Sequence, residues 1–547
     1  MRVPTSEDLL NKEENCLFFL PDYTYFKVSS SVGSGKTLAA ISYMLSEDKS
    51  TTNFLYVAPT INLVTQTRKG LQSAISKSNS TKRNPKLIHS VNISERQSAS
   101  QVAIAAINDA IENTGTTIIV TTITFLNILP LIKKKHNWSV IMDEAFSPLS
   151  FVTYQLGSRD EDREKSKEYF SNLFAISDNE EKSISVTKGQ SSLVNAVASN
   201  NWQEAGSMYS GMQDLAKAVV NSALKVELTE QRKDRYTFAT WVTADYFNGF
   251  LECIFLAALF EQTILHHLWT SEYQATFRSH KFFSSEINID IHATQGRLVS
   301  VGHLLHPDDH ASKYNLQRSH KTGASEAEHG VRVIDKCIEI IQAHFSGKAV
   351  LLQINRWAGY GKSLPVNKGV TIIPTMSQGM NHYQDHTAIA ALAVTNPEPH
   401  MCRWFKQRTS LSDSKLYQAF RIHNVYQACG RTAVRDWGNQ EQAVFLVTGK
   451  EDAEFLHNLF IGSNWLGQVG DIPSLKPLKK ENSNTIKKKP TLANNKEYQG
   501  LRDQYKSLSN KKSRAKRAGR SLSNADHLKL LSTKKAIVAL RRKLKDK

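Results

Sequence analysis

Paired cysteines are missing from this sequence. Cys16, Cys253, Cys337, Cys402 and Cys429 lie far apart and form no C-x-x-C pair. That excludes a zinc ribbon and a disulfide framework, and it fits a reducing compartment. Long apolar runs are missing as well. The most apolar stretch, Leu251 to Trp269, is interrupted by Glu252, Glu261, His266 and His267. It reads as a core helix and not as a membrane span, so no membrane partner is expected. The chain opens on no signal-peptide pattern, and no internal repeat is apparent. His303, His306, His310, His320 and His329 are spread without the ligand spacing or cysteine support of a metal centre, so none is expected there.

A chain of 547 residues is too long for one core, and 40% hydrophobic with 22% charged residues is the composition of a soluble globular protein of two to four domains. Its charge is not spread evenly. Of 69 Lys and Arg and 51 Asp and Glu, 23 and 5 fall between Lys476 and Lys547, which leaves 46 of each sign elsewhere. The whole excess of +18 therefore sits in the tail, and such asymmetry implies a polyanionic partner, most simply nucleic acid.

Three motifs carry chemistry. Ser30-Ser31-Val32-Gly33-Ser34-Gly35-Lys36-Thr37 follows an apolar strand (Tyr25 to Val28) and opens a helix through Leu45, with Leu38, Ile41 and Leu45 expected on one face. It departs from the phosphate-loop pattern only at Ser30, where glycine is usual. A glycine-bearing turn at a helix start aims backbone N–H groups at one point, an anion site. Ser30, Gly33, Ser34, Gly35, Lys36 and Thr37 are the candidate nucleotide-binding residues, with Lys36 on the β- and γ-phosphates and the Thr37 hydroxyl on Mg²⁺. Val140-Ile141-Met142-Asp143-Glu144 is a buried strand ending in two carboxylates, at the sheet edge where open α/β folds bind ligands. Asp143 suits a hard cation and Glu144 a general base for water. Far downstream, Gln427 to Arg435 has the form Q-x-x-G-R-x-x-R. Arg431 and Arg435, four apart, would share a helix face, and arginine suits developing phosphoryl charge.

In this order the three motifs resemble those of superfamily-two helicases, the DExD/H-box group. The resemblance implies two tandem RecA-like parallel-sheet domains, ATP and Mg²⁺ as cofactors, and hydrolysis coupled to movement on nucleic acid. It assigns Lys36, Glu144, Gln427, Arg431 and Arg435 to catalysis, with the arginines reaching the cleft from the second domain. It implies nucleic-acid contacts at Pro59 and Thr60 and at Thr121 and Thr122, each pair following an apolar strand. Ser377-Gln378-Gly379-Met380-Asn381 resembles the loop touching both nucleotide and nucleic acid, which makes Gly379 a further nucleotide-binding candidate. Val242-Thr243-Ala244-Asp245 resembles the Ser-Ala-Thr element that links hydrolysis to unwinding. Two departures stand out: Phe146 where the carboxylate box ends in Asp or His, and Asp245 where Thr is usual. A replication helicase of a virus, plasmid or other mobile element is the expected type. DNA is then expected ahead of RNA, with a replication or loading partner and a cytoplasmic site, nucleoid-associated or in the host cytoplasm.

The expected layout places the first domain over residues 1–280 and the second over 281–470. The excess length between Asp143 and Thr243 suggests a helical insertion in the first domain, near residues 151–234. Val350 to Gln353 reads as the first strand of the second sheet. A flexible basic linker (471–498) and a basic helical hairpin (499–547) close the chain. The alternative function is a nucleotide-switched clamp that grips nucleic acid without unwinding it.

Overall fold

The computed structural model describes residues 23–77, 86–88, 98–112, 114–179, 181–287, 290–319, 331–359, 369–375, 383–475, 496–517, 521 and 523–545. The first sheet is built from β1 (Thr24–Ser30), β2 (Asn53–Ala58), β3 (Lys86–Leu87), β4 (Thr117–Thr121) and β5 (Trp138–Asp143), joined later in the chain by two more strands. β2 and β5 are buried along their whole length, which accounts for their unbroken apolar sequences.

Between β5 and the rest of this sheet lies the insertion, and here the expectation of a helical segment is corrected. β6 (Leu149–Gln155), β9 (Leu224–Gln231) and β10 (Arg235–Val242) form an antiparallel sheet of order β6-β10-β9. A small ladder of β7 (Phe174–Ile176) and β8 (Ile184–Val186) and helices such as Asp160–Leu173 and Gln213–Val220 complete it. Tyr154, Phe170, Phe174, Tyr236 and Phe238 form its own core. The alternation in Leu224-Lys225-Val226-Glu227-Leu228 is a strand signal, and these residues lie in β9.

β11 (Glu252–Ala258) and β12 (Thr276–Ser279) then complete a seven-stranded parallel sheet of order β12-β1-β11-β5-β2-β4-β3. The run from Leu251 to Trp269 is therefore a strand followed by the helix Ile264–Tyr273, not one core helix. Leu259, in the left-handed region at φ 51°, breaks it. β11 is flanked on both sides by partners, so a continuous apolar sequence is what its position requires.

The second sheet comprises β13 (Val299–His303), β14 (Val350–Gln353), β15 (Val370–Ile373), β16 (Ala388–Ala391), β17 (Ala443–Val447) and β18 (Asn464–Gln468). All its pairings are parallel, in the order β15-β14-β16-β17-β13-β18. Its first strand is β13, not the segment from Val350. Its core includes Ile472 and Leu475, which carries the domain past the expected end at residue 470. The two tandem parallel-sheet domains are thus present. No helix among the described residues is long and apolar enough to cross a membrane.

The sheet domains also meet away from the strand ends. Trp404, Phe405 and Leu416 follow β16 in the chain yet belong to the core of the first sheet. In the helix Pro399–Thr409, Arg408 is paired with Glu227 of the insertion and donates to Glu272 at 2.8 Å, and its guanidinium lies 5.3 Å from the Trp241 ring. The basic tail is a separate unit (Lys476–Lys547) in which two helices, Lys496–Arg517 and Asn524–Lys545, pack on each other.

Candidate active site in the cleft between the sheets

The phosphate-loop candidate leaves β1 and enters the helix Lys36–Leu45. Gly33 and Gly35 have φ of 72° and 85°, a region that only glycine enters without strain. Gly35 is the N-cap and offers no side chain to the first N–H groups of the helix, which are left for an anion. The helix buries Ala39, Ala40, Ile41, Tyr43 and Met44. Leu38, expected on one face with Ile41 and Leu45, is 70% exposed while Ile41 is buried. Ser30 Oγ lies 2.8 Å from Ser34 Oγ, so the residue that replaces the usual glycine braces the loop.

Lys36 is buried and its Nζ donates to the Ser31 carbonyl at 2.7 Å. Burial lowers its pKa to about 8, against the opposing pull of Glu144 and Asp143. Asp143 closes β5, and its Oδ2 accepts from Thr37 Oγ1 at 2.9 Å and from the Tyr56 hydroxyl. Burial and the neighbouring Glu144 push its carboxyl pKa up. Glu144 has φ 81°, rare for a residue with a side chain and worth about 1–3 kcal/mol of strain. Its N–H donates to the Leu256 carbonyl at 2.7 Å, which holds this conformation at the end of β5.

The second sheet supplies the other wall. The helix His423–Cys429 ends at Gly430, and Arg435 sits in a following 3₁₀ turn, Ala433–Arg435. Arg431 and Arg435 therefore do not share one α-helix as expected; the turn brings both to the cavity. Gln427 Nε2 donates to Glu144 Oε2 at 3.4 Å, and Arg431 Nη2 donates to Gln427 Oε1 at 3.3 Å. A chain of contacts thus runs from the arginine through the glutamine to the base candidate. Burial and then Arg435 lower the Arg431 pKa to about 10. Burial also lowers that of Arg435, although Glu144 and Asp143 oppose it.

Contact between the two walls is intimate. The Val32 N–H donates to the Tyr426 hydroxyl at 2.9 Å, and His292 Nε2 lies 2.8 Å from the same hydroxyl. Val32 joins the apolar cluster of the second sheet with Tyr426, Ala428 and Cys429. A Cβ on Gly33 would sit 2.7 Å from Arg435 Cγ, so glycine is needed there for close approach as well as for its φ.

One cavity of about 430 Å³ is lined by Gly33, Ser34, Gly35, Lys36, Thr37, Asp143, Glu144, Gln427, Arg431 and Arg435. Ser30 stands behind the loop and does not line it. Gly379, with the rest of Ser377 to Asn381, lies outside the described residues. Pro59 and Thr60 follow β2, Thr121 ends β4 and Thr122 follows it, and the two strands pair side by side at Ala58 and Thr121. The Thr60 hydroxyl accepts from Leu63 N–H at 3.2 Å and that of Thr121 from Thr124 N–H at 3.3 Å, so both already serve as helix caps. Sequence reasoning missed Tyr56, Gln384, Tyr426, Asp436 and Trp437. Tyr426 had a usable signal, its place beside Gln427.

Asp245 is displaced from the role its motif suggests. It accepts from the Tyr23 hydroxyl, and the Tyr25 hydroxyl donates to the Ala244 carbonyl at 2.9 Å. Tyr23 precedes β1 and Tyr25 lies at its start, roughly 20 Å along the strand from its phosphate-loop end. The strand end beside the carboxylates is instead that of β11, where Leu256 pairs with Asp143 and Ala258 with Ser30. Phe146 is buried and stacks on Phe247 with ring centroids 5.9 Å apart, so it serves the core.

A family model described as DEAD/DEAH box helicase matches residues 5–147, the stretch that holds the phosphate loop and the Asp143-Glu144 pair. Over that stretch the first domain is similar to DEAD/DEAH box helicases. No curated protein sequence matches the chain. Among solved structures, S. cerevisiae Dbp5 bound to RNA and ADP BeF3 is similar at 11% identity, over 83% of this chain and 89% of that one, with a TM-score of 0.35. Mss116p bound to ssRNA and AMP-PNP is similar at 11% identity, over 83% of this chain and 72% of that one, with a TM-score of 0.30.

The site suits a nucleoside triphosphate. Three cations, Lys36, Arg431 and Arg435, converge on a cavity with two carboxylates, and buried Arg435 Nη1 has no hydrogen-bond partner among the described residues. Thr37 and Asp143 present hard oxygen donors side by side, as a Mg²⁺ site that keeps several waters and takes the rest of its ligands from phosphate requires.

Proposed function

We propose that this chain is a nucleic-acid-dependent ATPase of the helicase type, acting in replication or repair. The observation that carries the proposal is the single cavity shared by the phosphate loop and Asp143-Glu144 of one sheet and Gln427, Arg431 and Arg435 of the other. The loop N–H groups and Lys36 bind the triphosphate, while Thr37 and Asp143 hold the ion. Mg²⁺, when bound, neutralises charge on the β- and γ-phosphates. Glu144 orients the attacking water and takes its proton, and Gln427 fixes the Glu144 carboxylate. Arg431 and Arg435 complete the site only when the walls meet, so charge stabilisation and domain closure are the same event. In this reading Pro59, Thr60, Thr121 and Thr122 edge the nucleic-acid track and the basic tail adds electrostatic grip. DNA ahead of RNA is the preference carried over from the replication-type resemblance.

Two observations favour the clamp as a second reading. Phe146 is committed to the core, and Asp245 is bound to Tyr23 at the far end of β1. Neither can relay hydrolysis to a strand in the cleft as a polar residue at the carboxylates could. Strand displacement on tailed DNA and RNA duplexes separates the readings. ATP-dependent release supports the motor; nucleotide-dependent binding with no release supports the clamp.

A further inference from the structure

The hydrolysis chemistry leaves one part of the shared cavity without a role. Trp437 is 63% exposed and Leu38 is 70% exposed, yet both line this cavity, one from each sheet domain. Large apolar side chains bordering a cleft of charged groups mark the part of a site that takes an apolar or aromatic portion of its ligand. Trp437 follows the arginine turn directly, and its backbone is fixed although its ring is open. Buried Gln295 donates its Nε2 to the Trp437 carbonyl at 2.7 Å, and the Asp436 carboxylate accepts from Gly438 N–H at 2.9 Å. A ring carried on a pinned turn loses little freedom when a ligand covers it, the property of a binding anchor.

We propose that Trp437 is the nucleobase platform of this site. The base stacks on the indole face while Lys36, Arg431 and Arg435 hold the phosphates, and Leu38 borders the same space from the opposite wall. The assignment rests on the ATPase reading and adds the origin of its base recognition. Stacking on an indole reads the π-face and not the hydrogen-bonding edge, so it tolerates any base. It favours purines over pyrimidines through the larger ring area.

The test compares a ligand that has a base with one that has none. Affinities of ATP and of inorganic tripolyphosphate, each with Mg²⁺, are measured by calorimetry on the full chain and on Trp437→Ala and Trp437→Phe. Removal of the stacking platform predicts an ATP affinity about 5- to 150-fold weaker in Trp437→Ala. Tripolyphosphate affinity stays unchanged, and Trp437→Phe stays near wild type. An unchanged ATP affinity in Trp437→Ala overturns the proposal. So does an equal weakening for both ligands, which would make the tryptophan a support for the arginine turn. A wild-type chain that binds neither ligand refutes the ATPase reading itself and this assignment with it.

Discussion

Gly430→Ala isolates domain closure from folding. Gly430 has φ −70° and ψ 6°, a conformation alanine adopts freely, so the substitution itself costs the backbone nothing. Fewer unfolded conformations should even stabilise the chain by about 0.4–1 kcal/mol. In the closed cleft, however, the added Cβ would lie 2.2 Å from Val32 Cγ2, 2.8 Å from Val32 Cβ and 3.0 Å from Val32 Cγ1. Turning the valine exchanges its methyl groups but leaves its Cβ in place, so rotation gives no relief. Carbon atoms need a separation of about 3.5–4 Å, and the walls must part by roughly 1 Å. Overpacking of this kind costs about 1–3 kcal/mol, which lowers the closed fraction about 5- to 150-fold. Steady-state ATPase at saturating ATP should fall in that proportion while the melting temperature holds or rises. Val32→Ala in the same chain removes both offending methyl groups and should restore part of the turnover. Turnover within about twofold of wild type at an unchanged melting temperature would refute the claim that these walls meet during catalysis.

Two further outcomes follow from the same geometry. Lys36 has its pKa lowered to about 8 by burial, and a bound triphosphate raises it again. Binding therefore takes up a proton above about pH 8: ATP affinity should be flat below that pH and fall by up to about tenfold per unit above it, while an affinity that rises with pH would contradict the assignment. Truncation after Leu475, which spares buried Ile472 and Leu475, removes the +18 tail and no residue of the cavity. Basal ATPase should survive, and the slope of log affinity for nucleic acid against log salt should shrink by roughly 0.7–0.9 for each phosphate that the tail had neutralised; an unchanged slope would assign the tail to a protein partner.

What could be read from the sequence was local chemistry with a fixed spacing. Gly33, Gly35, Lys36 and Thr37 declare an anion site because few other functions need glycine, lysine and threonine at a helix start. Asp143 and Glu144 declare a strand end because the residues before them are wholly apolar. Leu38 was misplaced because spacing along a helix shows which residues share a face, but not that a cleft opens beside that face. The run from Leu251 failed for a related reason, since an apolar stretch long enough for a helix can be a doubly flanked strand, a turn and a helix in succession. Arg431 and Arg435 were matched to the right cavity by the wrong geometry, because Gly430 ends the helix before either is reached. Pairings such as Val32 with Tyr426, or Arg408 with Glu227, join residues far apart in the chain and leave no periodicity to read.

The most direct test of the central claim is steady-state phosphate release by the full chain, with and without single-stranded nucleic acid, beside Glu144→Gln and Lys36→Ala. ATP hydrolysis stimulated by nucleic acid is the expected result. Glu144→Gln should bind ATP and fail to turn it over, and Lys36→Ala should bind it weakly. Substantial turnover in Glu144→Gln, or a wild-type rate indifferent to nucleic acid, would contradict the central claim.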